Sequence, residues 1–154
     1  MKLATLCYVM DKKNNKTLMI HRTKKENDYH AGKWNGLGGK FNQGESPEDC
    51  VIREVKEESG LILKSPKMHG FITFPNFDGE YDWYVFIFTA DLFEGKIIES
   101  NEGHLEWIPN EELTSLNLWG GDKIFLEWLF QDKFFSAKFN YKKGNFKNHT
   151  VFFY

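Results

Sequence analysis

The chain is poor in cysteine, with two in 154 residues. Cys7 sits in an apolar run and Cys50 in a charged one, a spacing that suits neither a metal site nor a disulfide framework. A reducing cytoplasm is the expected setting. Long hydrophobic runs are missing too. After Lys2 the apolar stretch Leu3 to Met10 is ended by Asp11, too short for a signal-peptide core and far too short to span a bilayer, so a soluble, unexported protein is expected. Neither sign of charge dominates: 20 basic side chains face 22 acidic ones, for a net charge of −2. That balance argues against a general nucleic-acid surface and against duplex DNA as a partner. Linkers, repeats and low-complexity tracts are lacking, and the length fits one domain, 1–154, able to bury a core without staples. No obligate protein partner is evident.

Aromatic residues, by contrast, are plentiful: fifteen Phe, six Tyr and five Trp. Such content belongs first to a core and only secondarily to base stacking. The first forty residues are locally basic, through Lys12, Lys13, Lys16, Arg22, Lys24, Lys25, Lys33 and Lys40, which suits a small anionic ligand.

Apolar runs at Leu3 to Met10 and Thr17 to His21 predict two paired strands around a polar turn. Met68 to Phe77 and Tyr81 to Leu92 read as two more, with Pro75 marking a distortion or an edge. His104 to Ile108 is a further strand, after a polar turn from Glu94 to Asn101. A short helix opens at Pro109, and a second, capped by Asp122, runs through Gln131 with Ile124, Phe125, Trp128 and Leu129 as its apolar stripe. That helix should cover the sheet face opposite the helix described next. Phe134 to Tyr141 and Phe146 to Tyr154 close the chain as a hairpin.

The stretch from Gly38 to Leu61, GGKFNQGESPEDCVIREVKEESGL, organises the rest. Ser46 can cap the free N–H groups of a helix, Pro47 suits its first position, Asp49 can reach back in a capping box, and Gly60 can end it. At about 100° per residue, Val51, Val55 and Glu58 share one face, with Glu54 at its edge. Glu54, Glu57 and Glu58 stand at i, i+3 and i+4 and must crowd one another, which raises their pKa values or demands a cation. An ordinary acidic face would lie opposite the apolar stripe, whereas this one overlaps it. Oxygen ligands on a rigid helix suit Mg²⁺ first and Mn²⁺ second.

Written as G-x5-E-x7-R-E-U-x-E-E-x-G-U, with U a bulky aliphatic residue, the motif at Gly39, Glu45, Arg53, Glu54, Val55, Glu57, Glu58, Gly60 and Leu61 resembles the Nudix box at every fixed position. WNGLGGK from Trp34, ESNE from Glu99 and WGGD from Trp119 are similar, more loosely, to the MutT-type 8-oxo-dGTP diphosphatase branch. The resemblance implies an α+β fold, an α/β/α sandwich around a mixed sheet. It also implies Mg²⁺-dependent hydrolysis of a nucleoside triphosphate to the monophosphate and pyrophosphate.

By the same resemblance the metal would be held by Glu54, Glu57, Glu58, Glu102 and the carbonyl at Gly38. Glu102 would be either a bridging ligand or the base that activates water, and Arg53 would orient the carboxylates. Asn35, Phe74, Trp119 and Asp122 would receive an oxidised purine; apart from the resemblance, the polar loop opened by His21, Arg22, Lys24 and Lys25 is either solvated or a basic edge that places Lys25 on the phosphates. Phe71, Trp83, Phe86 and Phe88 could wall the base pocket or fill the core. The departure is Gly121, where the mammalian branch carries a second acid. Other substrates stay open: dihydroneopterin triphosphate, ADP-ribose, a dinucleoside polyphosphate or an RNA 5′ end. So does a non-catalytic nucleotide-binding module, although such a module has no need of a self-repelling glutamate cluster.

Overall fold

The computed structural model describes residues 1–23 and 30–154; Lys25 lies outside the described residues. The strands are β1 Lys2–Asp11, β2 Lys16–His21, β3 Trp34–Asn35, β4 Ile62–Lys64, β5 Lys67–Phe74, β6 Trp83–Ala90, β7 Leu92–Glu94, β8 His104–Pro109, β9 Phe135–Lys142 and β10 Asn145–Phe153. The helices are α1 Pro47–Ser59 and α2 Asp122–Phe130, with a 3-10 turn at Asn110–Ser115. No helix among the described residues is long and apolar enough to cross a membrane.

Eight strands form one mixed sheet in the order β10-β9-β5-β6-β1-β2-β3, with β8 paired to β2. β1 runs parallel to β6 and β5 parallel to β9, while the other pairs are antiparallel. Side chains alternate across each strand. Cys7 and Val9 of β1 therefore enter one core with Val51 and Val55 of α1, while Tyr8 and Met10 enter another with Phe125, Leu126 and Leu129 of α2. The two helices cover opposite faces, as the stripe patterns imply, and the result is the expected helix–sheet–helix sandwich.

The feature that positions the site is a split in the sheet. β2 pairs with β1 only from Val9 to Asp11. The segment after β3 then enters the gap, with Leu37 bridging Cys7 and Lys40 bridging Ala4. The glycine-rich piece is thereby held against the middle of β1, directly over α1.

Several boundaries differ from the sequence reading. β5 stops at Phe74 and Asn76 takes a positive φ of 47°, so the Pro75 distortion is a chain reversal that carries Phe77 out of the strand. β4 and β7 pair into a separate two-stranded sheet that no periodicity announces. Asp122 does not cap α2: Gly121 occupies the N-cap position, no side chain caps it, and Asp122 is the first helical residue and is buried.

Candidate active site

α1 begins with a reciprocal capping box. Asp49 N–H donates to Ser46 Oγ at 3.0 Å, and Ser46 N–H donates to Asp49 Oδ2 at 3.1 Å. Gly60 ends the helix at φ 82°. Fixed at both ends, the helix turns Glu58 inward with Val51 and Val55, where it is only 7 % exposed. Its Oε1 accepts the Gly38 N–H at 2.9 Å, while its Oε2 is buried with no hydrogen-bond partner among the described residues. Gly38 reaches that position by lying against β1, where a Cβ would stand 2.0 Å from the Thr5 carbonyl oxygen. Gly39 makes room next to it: a Cβ there would meet the Glu54 carboxyl carbon at 2.5 Å.

These surroundings shift the carboxyls upward. Burial raises Glu58 well above the ordinary range and the nearby Glu102 charge adds to it, with the Gly38 N–H opposing. Burial also raises Glu54 against the pull of Arg53, and Glu57 and Glu102 add to the rise. Arg53 ties the group together. It grips Glu45 through Nε and Nη2 at 2.6 and 2.8 Å, Glu54 through Nη1 at 2.8 Å, Glu57 at 3.2 Å and the Lys40 carbonyl at 3.0 Å. The two-pronged grip holds Glu45 down at about 2, helped by the Asn42 N–H. Glu102 lies across the cleft with Oε2 3.5 Å from Arg22 Nη1.

A divalent cation fits this set. The donors are hard oxygens, they repel one another, and the lone pairs of one buried carboxylate oxygen meet no donor among the described residues. Among the described residues no three Asp, Glu, His or Cys side chains are already gathered at ligand distance. Glu57 in particular is turned outward to Arg53, its side chain 59 % exposed.

From Gly38, Gly39, Glu54 and Glu102 a cleft of about 530 Å³ runs to an aromatic chamber walled by Phe74, Phe77, Trp119 and Tyr141. Trp119 is oriented by an Nε1–H bond to His30 Nδ1 at 2.7 Å and meets Phe77 edge-on at 4.9 Å. Asn35 and Asp122 also line this end, both buried, and Asn35 Nδ2 has no partner among the described residues. Burial pushes the Asp122 carboxyl up to about 8, with Lys33 opposing. Neutral below that pH, it is a donor as well as an acceptor.

The sequence-derived residues Gly38, Glu54, Glu102, Asn35, Phe74, Trp119 and Asp122 thus line a single cleft. Glu58 lies beneath Gly38, while Arg53 and Glu57 stand behind the carboxylates. Of the aromatic candidates, Trp83 lines the cleft, its Nε1–H held by Asp78 at 2.9 Å. Phe88 is core, and Phe71 packs on Phe86 at 5.9 Å between ring centres, away from the cleft. Sequence reasoning missed His30, Phe77 and Tyr141. Phe77 looks like the end of a strand, and Tyr141 like an ordinary hairpin residue. The one available signal for Phe77 was its place two residues after Pro75, where a chain reversal sets a side chain free of the sheet.

The family model for the NUDIX domain matches residues 1–129. Over 104 residues the chain is 36 % identical to YvcI, an uncharacterized Nudix hydrolase of Bacillus subtilis, covering 65 % of this chain and 66 % of that one. Over 119 residues it is 36 % identical to the oxidized purine nucleoside triphosphate hydrolase of Danio rerio, covering 77 % of this chain and 76 % of the relative. The chain thus spans about two thirds to three quarters of the length of these relatives. A crystal structure of a MutT protein from Bacillus halodurans superposes with a TM-score of 0.86 at 30 % identity, covering 98 % of this chain and 97 % of that one.

Proposed function

The chain belongs to the NUDIX family, and from that premise we propose that it is a Mg²⁺-dependent nucleoside triphosphate pyrophosphohydrolase that acts on oxidised purine nucleotides such as 8-oxo-dGTP. Its place would be the cytoplasmic nucleotide pool, where it would keep damaged precursors out of DNA. The observation that carries the reading is the continuity of the cleft. Self-repelling carboxylates sit at one end, and a buried aromatic chamber with two polar side chains sits at the other. A triphosphate has the same division into an anionic tail and a flat polar base.

Bound there through Glu54, Glu57, Glu58, Glu102 and the Gly38 carbonyl, Mg²⁺ would neutralise the phosphate oxygens and favour attack by water. The chain's own residues do the rest. Arg53 fixes the rotamer of Glu54 at the cleft, so that carboxylate need not be ordered when substrate arrives, whereas Glu57 would have to turn in from its contact with Arg53. Glu102 stands at the edge of the cleft; if it stays outside the metal shell instead of joining it, it is the carboxylate placed to accept a proton from the water. The bond broken is the anhydride between the α- and β-phosphates, and water supplies the oxygen that completes the monophosphate and pyrophosphate. At the other end Trp119 stacks on the base, while Asn35 and Asp122 hydrogen-bond its edge.

The test is a panel of initial rates on oxidised and normal nucleoside triphosphates, dihydroneopterin triphosphate, ADP-ribose, a dinucleoside polyphosphate and capped RNA. Pyrophosphate and orthophosphate are measured separately, with Mg²⁺, with Mn²⁺ and with chelator. The expected result is metal-dependent pyrophosphate release, fastest on an oxidised purine. Preference for ADP-ribose or RNA would move the chain to another Nudix activity, and binding without turnover would make it a regulatory module.

A further inference from the structure

Gly121 stands where the resemblance leads one to expect an acid, and its surroundings explain the absence. A Cβ there would lie 2.4 Å from Phe139 Cδ2 and 2.8 Å from the Tyr141 hydroxyl oxygen. The space is filled from β9, beyond the residues matched by the family model. The Tyr141 hydroxyl accepts the Gly121 N–H at 2.8 Å. Its ring is clamped edge-on by Phe77 at 5.1 Å and by Trp119 at 5.8 Å.

Conjugation holds a phenolic O–H close to the plane of the ring, which leaves one in-plane hydrogen and one in-plane lone pair. With the lone pair taken by Gly121, the direction left open is the donor's. Among the described residues no acceptor takes that hydrogen, and Tyr141 lines the same chamber as Asn35 and Asp122. Asn35 Nδ2, which has no partner among the described residues, is a second donor on that wall.

We infer that Tyr141 is a specificity-determining residue whose hydroxyl donates to the base, favouring purines that carry a carbonyl at position 6 over those that carry an amino group. A phenol locked as a donor meets a 6-amino group donor to donor, which leaves both unpaired in a buried site. Asp122, whose carboxyl is half-protonated at about pH 8, supplies the adjustable partner beside it. The inference rests on the proposed reading only in placing the base in this chamber.

The experiment compares wild type with Tyr141→Phe, which keeps the ring and removes the hydroxyl. Turnover is measured on 8-oxo-dGTP, dGTP and dITP against 8-oxo-dATP and dATP, and calorimetry gives Kd for GMP, IMP and AMP, alongside the melting temperature. The expected result is a loss of about ten- to a hundredfold in kcat/KM and affinity confined to the 6-oxo purines. Equal losses on both classes, tracking a lower melting temperature, would mean that the hydroxyl only holds the Gly121 turn. Wild-type affinity for AMP equal to that for GMP and IMP would overturn the inference outright. If no purine triphosphate is hydrolysed, the proposed function fails; a monophosphate preference that Tyr141→Phe abolishes would still sustain the role of Tyr141.

Discussion

Glu58 is the residue on which the site turns, because its buried Oε2 has no partner among the described residues and its neighbours are also acidic. Glu58→Gln should abolish turnover at saturating Mg²⁺ while leaving the metal-free protein as stable as wild type or more so, since an amide relieves the repulsion. Rates and melting curves on the same preparation check it, and near wild-type activity would remove Glu58 from the mechanism. Asp122 makes a different prediction. Its folded pKa is raised from an ordinary 3.8 to about 8, so between those values the folded chain holds a proton that the unfolded chain has lost. Its contribution to stability is therefore full below about pH 4 and is lost as the pH rises through about 8. Asp122→Asn should flatten the fall in melting temperature over that window, and an unchanged slope would mean that the carboxyl is ionised when buried. Gly121→Asp, which would restore the acid of the mammalian branch, should instead cost about 1–3 kcal/mol in overpacking, because its Cβ enters the space of Phe139. Denaturant midpoints measure it.

Among the elements, α1 was the most legible in sequence. Ser46, Pro47, Asp49 and Gly60 define its ends through local chemistry alone, and the inward turn of Glu58 follows from its spacing to Val51 and Val55. What Arg53 binds was less legible. A wheel places it beside Glu54 and Glu57, but its strongest partner is Glu45 in the preceding loop. Arg53→Lys keeps the charge and loses the fork that spans Glu45 and Glu54, so kcat should fall roughly tenfold or more with little change in melting temperature. A comparable loss of stability and activity would make Arg53 a structural tie only. The three-residue strands β4 and β7 escaped notice because a period of two needs more residues to declare itself. Asp122 was misread for a related reason: acid followed by an apolar stripe is the pattern of a cap, whereas here the helix starts one residue earlier and the acid is buried as its first residue.

At the scale of the molecule, the sheet brings together residues that local patterns cannot connect. Asn35, Phe77, the pair Trp119 and Asp122, and Tyr141 come from four places in the chain and meet in one chamber, so the base end was the part least visible in advance, whereas the metal end, Glu102 apart, lies within a single helix and its loop. The central position of β1 has a temporal consequence. Its parallel partner β6 starts with Trp83 beside Lys2, so about half the chain must exist before the first strand can be flanked on both sides. Closing so long a loop is slow compared with forming the β1–β2 turn. A ribosome-bound chain that has just completed α1 therefore carries the entire box motif, caps included, with no fixed floor to dock it on. The helix carboxylates of a newborn chain have no sheet to turn towards until β6 arrives, and Glu102 joins them only after that, so the self-repelling cluster is completed when the sheet beneath it can hold it there.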